Sequence, residues 1–204
     1  MPVSRPGTGK LQFWFEFAST YSYPAAMRIE RVATAQDVAL EWKPFLLGPI
    51  FRSQGWSDSP FNLYPAKGRY MWRDLERICT RESLPFRRPT QFPRNGLLAA
   101  RVVVAGLAEP WVPAFVREVY RANFAEDRDI ADPQVVSELL QRVSPGAGTT
   151  LERAGSEAVK QQLRAHGDEA AALGIFGAPS FVSGGELFWG NDRLDEALAH
   201  ASRP

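Results

Sequence analysis

Residues 11–17 read Leu-Gln-Phe-Trp-Phe-Glu-Phe, so apolar Leu11, Phe13, Phe15 and Phe17 alternate with Gln12, Trp14 and Glu16. Period-two alternation rich in aromatic residues predicts a β-strand with one face on a core. The strand runs into Ser19-Thr20-Tyr21-Ser22, a turn, and then into a helix carried by Ala25, Ala26, Ile29 and Val32. Pro24 falls in that helix's first turn, where a missing N–H costs little. Val38 to Leu47 reads as a second strand. Strand, helix and strand in so short a span make a βαβ unit with a right-handed crossover. The opening of the chain therefore calls for an α/β fold.

From Gly48 to about Gly148 the pattern changes. Residues 55–65 read as a loop. Helical periodicity follows, with Tyr70, Met71, Leu75 and Ile78 on one face, then an apolar helix over Leu97–Leu107 and another over Trp111–Ala125. Asp132-Pro133 reads as an N-cap and a first-turn proline ahead of Val135, Val136, Leu139 and Leu140. This stretch contains no predicted strand. Glu157–Leu173 reads as a helix ended by Gly174. Ser180–Val182 and Glu186–Trp189 flank Ser183-Gly184-Gly185 as a hairpin. Asn191 or Asp192 then caps a last helix through Leu194, Ala197 and Leu198. The expected architecture is an α/β domain from residues 10–48 and 150–204 with residues 49–149 as an all-helical insertion. Residues 2–10, rich in Pro, Gly and Ser, read as a disordered lead-in.

Composition excludes several classes. With 204 residues, 45% of them hydrophobic, the chain can bury a proper core. Its 24 Lys and Arg face 23 Asp and Glu, a net charge of +1, so no global electrostatic case exists for nucleic acid or an anionic membrane. No run approaches the roughly 18 apolar residues that span a bilayer. The first residues lack the apolar centre of a signal peptide. Cys79 is the only cysteine and cannot form an internal disulfide, so a reducing cytoplasm is the simplest expectation. His166 and His200 read as surface residues, and no metal site is expected.

Five segments carry a family resemblance: residues 15–23 (Phe-Glu-Phe-Ala-Ser-Thr-Tyr-Ser-Tyr), Lys67–Met71, Phe92-Pro93-x-Asn95, Phe176–Pro179 and Trp189–Leu194. Together they resemble the 2-hydroxychromene-2-carboxylate isomerases, which belong with kappa-class glutathione transferases in the DsbA superfamily. The resemblance implies a thioredoxin-like fold interrupted by the helical insertion. It also implies a glutathione-dependent isomerase acting on a small aromatic-type molecule, and a homodimer. Where redox relatives carry Cys-x-x-Cys, this chain has Ser19-x-x-Ser22, which cannot cycle between dithiol and disulfide. Its sulfur would come from a ligand.

By the same resemblance, Ser19 faces the glutathione sulfur, with Tyr21 beside it. Ala178 pairs its backbone with the cysteinyl unit ahead of a cis Pro179. Asn191 and Asp192 hold the γ-glutamyl end. Lys67 lies near the glycine end, and Asp58 or Asn62 takes the place of a family asparagine. Lys43, Asn62, Tyr64 and Trp189 are the substrate-side candidates, and Trp56, Phe61 and Trp72 are further aromatics of the same kind. Simpler readings stand beside these. Ser19 and Asp192 suit plain N-caps, Lys67 and Lys43 suit surface lysines, and most aromatics are core. A kappa-like transferase and a non-catalytic thioredoxin-like binding protein are the alternative functions. Thr20 stands where many relatives have proline, and the loop over 48–66 departs from the isomerase pattern.

Overall fold

The structure, a computed structural model, describes residues 9–202. Most of the lead-in expected over 2–10 lies outside that range, but Gly9 and Lys10 already belong to the first strand. Strand β1 (Gly9–Phe15) pairs in parallel with β2 (Val38–Pro44), setting Phe13 opposite Trp42. Helix α1 (Ser22–Thr34) is the crossover between them. Strand β3 (Ser180–Ser183) runs antiparallel to β1, and β4 (Glu186–Trp189) completes the order β2-β1-β3-β4. Gly184 and Gly185 turn the hairpin at φ +59° and +84°, a pair of left-handed conformations that side chains resist.

β1 is an inner strand, paired at both edges, and both of its faces are covered as well. Leu11, Phe13 and Phe15 join Ala25, Ile29, Leu194 and Leu198 in the main core. Trp14, expected on a polar face, is fully buried in a second core with Phe45, Ile50, Ala170, Ile175 and Val182. Period-two alternation predicts one wet face and one dry face, whereas helices sit on both sides of this sheet.

Between β2 and β3 the described residues form helices only. These are α2 (Leu47–Ser53), α3 (Pro60–Leu63), α4 (Pro65–Arg81), α5 (Leu97–Ala105), α6 (Val112–Phe124), α7 (Pro133–Val143), α8 (Gly148–Ala154) and α9 (Glu157–Ala172). Asp132 caps α7, accepting from the Gln134 N–H at 2.8 Å, and Ser156 caps α9 through Val159 at 3.4 Å. Strand β2 stops at Pro44 rather than Leu47, because Leu47 already opens α2. Tyr70 faces solvent, and the buried stripe of α4 is Gly68, Met71, Trp72, Leu75, Ile78 and Cys79. His166 is buried too: its Nδ1 lies 2.9 Å from the Pro44 carbonyl and its ring against Trp14.

After β4 a single 3₁₀ turn, Asn191–Arg193, leads into α10 (Leu194–Ala201). Neither Asn191 nor Asp192 caps α10 with its side chain. The helical block packs directly onto the C-terminal end of β1, where Tyr120 of α6 touches Phe15 and Phe17, and Phe124 stacks on Tyr23.

Candidate functional site

The loop that follows β1 is held from both sides. Ser19 sits just ahead of α1, and its Oγ accepts the N–H of Ser22, the first residue of that helix, at 3.3 Å; the N-cap position itself is Tyr21, whose side chain makes no capping bond. The Ser19 hydroxyl donates to the Ala178 carbonyl at 2.8 Å, across 159 residues of sequence. One side chain therefore both accepts from the start of α1 and donates to the Ala178 loop. Ala178–Pro179 is cis, as expected, and so is Phe92–Pro93. Beyond Pro179, its carbonyl accepts the Gly190 N–H at 2.9 Å, which ties this loop to the Asn191 corner.

That corner is fixed by Arg28, a residue the sequence reading passed over. Its guanidinium donates to the Asn191 carbonyl at 2.7 Å and pairs with Asp195 at 3.0 Å. Arg28 lies on α1, so the helix whose first N–H bonds to Ser19 also positions the last turn before α10. Asn191 is buried, and its Oδ1 has no hydrogen-bond partner. Beside it the Asp192 carboxylate is 74% exposed and, among the described residues, forms an ion pair only with Arg193, at 3.5 Å. Ser19, Ala178, Asn191 and Asp192 thus belong to three segments joined by direct bonds.

Tyr21 donates to Asp74 of α4 at 3.0 Å. Burial, then that hydrogen bond and the nearby charges of Asp74 and Asp192, raise its phenol pKa. Phe61 of α3 lies edge-on to Tyr21 at 6.3 Å. Lys67 is exposed, with its ammonium 4.8 Å from the Tyr64 ring, a cation–π contact. Asn62 is exposed and donates to Asp58 at 3.0 Å and to the Phe92 carbonyl at 3.3 Å, so the two candidates for the family asparagine are bonded to each other. Trp189 is half exposed and packs on Phe176 at 4.8 Å. Gly177 permits this: a Cβ there would meet the Trp189 indole nitrogen.

Three candidates lie elsewhere. Lys43 turns toward α9, where it pairs with Glu169 and Glu41 at 3.1 Å each and sits over the Trp14 ring. Burial opposes its charge, but these hydrogen bonds outweigh it and raise the pKa. Trp72 is buried between Phe92 and Phe86. Trp56 packs on Phe51.

The other groups that shape the loop come from the stretch between β2 and β3. The Tyr120 hydroxyl donates to the Glu16 carbonyl at 2.8 Å, and the Asn123 amide to the Phe17 carbonyl at 3.1 Å. Arg94 donates in turn to Asn123 Oδ1 at 3.2 Å and pairs with Asp127. The Thr90 N–H and then the Arg94 guanidinium hold the Asp127 carboxyl at about 2. Glu16 has the opposite environment. Burial pushes its carboxyl up to about 7, against a hydrogen bond from the Leu47 N–H. Only Glu16 had a sequence signal: an acid directly after an apolar strand. Arg28, Asn123 and Arg94 act through contacts between distant segments and offered none.

Among the described residues, no three His, Cys, Asp or Glu cluster as a metal site, and no helix is long and apolar enough to cross a membrane. Residues 10–201 match the DSBA-like thioredoxin domain. The chain is 27% identical to a 2-hydroxychromene-2-carboxylate isomerase of Sphingobium xenophagum, covering 92% of this chain and 95% of that protein. It is 26% identical to human glutathione S-transferase kappa 1, covering 93% and 89%. A solved 2-hydroxychromene-2-carboxylate isomerase superposes with a TM-score of 0.84 at 21% identity, over 94% of this chain and 93% of that one.

Proposed function

The chain belongs to the DsbA-like thioredoxin family, and from that premise we propose that it is a glutathione-dependent isomerase. Its substrate would be an aromatic-degradation-type small molecule such as 2-hydroxychromene-2-carboxylate. The observation that carries the reading is the Ser19 hydroxyl bonded to Ala178, where a redox relative would carry a thiol. The chain brings no thiolate of its own to this place. Cys79 is buried on α4, and burial pushes its thiol up to about 11.

The residues present fit glutathione. The exposed Asp192 carboxylate suits an ammonium group, and the unmet Asn191 acceptor lies beside it. The Ala178 backbone offers peptide-like pairing of the kind an added strand makes. When bound, glutathione would supply the sulfur nucleophile that adds to a conjugated substrate and leaves again. The Ser19 O–H can rotate from the Ala178 carbonyl toward that sulfur, because a hydroxyl has no fixed donor direction. The start of α1 adds a positive partial charge that favours an anion there. Lys67, carried on the Tyr64 face, suits the glycine carboxylate, and Tyr21 braces α1 against α4. Asn62, Tyr64 and Trp189 remain the substrate-side residues, while Lys43 is held by Glu41 and Glu169.

A kappa-like transferase using the same site is the second reading, supported by the similarity to human glutathione S-transferase kappa 1. Free-thiol titration before and after turnover of 2-hydroxychromene-2-carboxylate separates the two. The isomerase leaves glutathione at its starting concentration, and a transferase depletes it in step with product. Ser19→Ala should raise the thiol pKa of bound glutathione, read by thiolate absorbance, and slow turnover. No glutathione binding at millimolar concentration, or an unchanged pKa and rate in Ser19→Ala, would refute the proposal.

A further inference from the structure

A cavity of about 440 Å³ opens between α2, the first turns of α5, and α9. None of Ser19, Ala178, Asn191 or Asp192 lines it. Ligand pockets commonly measure roughly 300–1,000 Å³, so this one has room for a small molecule. Its walls are aliphatic, formed by Leu46, Ile50, Leu97 and Leu163. Its charged groups are Arg101, Lys160 and Arg164 against the single acid Asp168.

The three cations differ in what already holds them. Lys160 and Arg164 both reach Glu157, at 3.7 and 3.4 Å. Arg101 makes no ion pair and no hydrogen bond among the described residues, and its Nε is buried without a partner. A guanidinium cannot discard its proton to relieve burial, so a half-buried Arg101 stays charged and calls for an anion. Apolar walls next to that charge exclude a small hydrated ion as the best occupant. Inorganic phosphate would leave the aliphatic surface wet, whereas a carboxylate on a compact apolar body satisfies both.

We propose that this cavity is a second ligand site, one for an apolar monocarboxylate whose carboxylate pairs with Arg101 and whose body lies against Leu46, Ile50 and Leu163. It is independent of glutathione, because its lining shares no residue with the Ser19 corner. The reading does not depend on the reaction proposed above and would stand if that reaction were disproved.

Calorimetry of the full chain with 2-naphthoate tests it. One equivalent of naphthoate should bind, and the uncharged 2-naphthylmethanol should bind more weakly by roughly tenfold or more, since a charge-assisted hydrogen bond is lost. Arg101→Gln should remove that preference while its melting temperature shows it folded. Ala171→Trp places a large ring at the cavity mouth from an exposed helix position and should block both ligands. It decides the matter should Arg101→Gln fail to fold. Saturating S-methylglutathione should leave naphthoate affinity unchanged. Three results would each overturn the proposal: no naphthoate binding at millimolar concentration, equal affinity in wild type and Ala171→Trp, or competition by S-methylglutathione.

Discussion

Glu16→Gln isolates the proton that the end of β1 holds. The folded carboxyl titrates at about 7 against an ordinary value of 4.5, with burial as the main cause. The pKa is raised, so below pH 4.5 the acid is protonated in both folded and unfolded chains and costs nothing. As pH rises toward 7 the unfolded chain ionises freely while the folded chain resists, and stability falls through that window. At roughly 1.4 kcal/mol per unit, the full displacement is worth about 3 kcal/mol; the solvent contact Glu16 keeps trims this toward about 2 kcal/mol. Glutamine has the same shape, retains an acceptor for the Leu47 N–H and does not ionise. Urea unfolding of both proteins at pH 4.5, 6 and 8 gives the test. All other titrating groups cancel in the comparison, so wild type should lose about 2–3 kcal/mol more than Glu16→Gln between the outer two conditions. Parallel stability curves would show that Glu16 ionises normally in the folded chain, and the argument from burial would fail.

The Asp127 carboxyl works in the opposite sense. Held at about 2 by Thr90 and Arg94, it stabilises the fold above its ordinary pKa and loses that contribution as pH falls toward 2. Asp127→Asn should therefore be less stable than wild type at pH 6, with the gap closing by pH 2 in circular-dichroism melts; a gap independent of pH would contradict this. Asn123→Ala removes the only described donor to the Phe17 carbonyl and one acceptor of Arg94, at a cost of roughly 1–3 kcal/mol in denaturant unfolding. Asp192→Ala should weaken glutathione binding by about 1.5–3 kcal/mol, measured calorimetrically, if its carboxylate meets the ammonium group. An unchanged affinity would move the γ-glutamyl subsite elsewhere.

Much of the fold was legible in the residues because it rests on local pattern. The aromatic alternation of Leu11–Phe17, Asp132-Pro133 and the Gly184-Gly185 turn each act through nearest neighbours; the N-cap and the turn lie at the expected residues, and the strand lies two residues earlier, at Gly9–Phe15. Trp14 and Lys43 were misplaced for one reason. Period two says that two faces differ, but it does not say that α9 will cover the second one and bring Glu169 to Lys43. The run Phe45-Leu46-Leu47 continued β2 in apolar character, and period alone cannot tell a buried strand from the start of a helix; Pro49, in the first turn of α2, was the available hint. Of the candidate site, the positions of Ser19, Ala178 and Asp192 came from a resemblance. The bonds that unite them, Ser19 to Ala178 and Arg28 to Asn191, span 159 and 163 residues, beyond the reach of any local rule.

The two hydrogen bonds that α6 sends into the loop before Ser19 set a limit on engineering. A four-stranded scaffold carrying residues 16–22 alone would strip the Phe17 carbonyl of its donor and leave the Glu16 carbonyl with only the Ser19 N–H. The graft would have the right sequence and a differently shaped loop. The smallest transplantable unit therefore includes Tyr120 and Asn123 together with the Arg94–Asp127 pair behind them. Cutting the helical block back through α6 would reshape this loop even with Ser19 and Ala178 left in place.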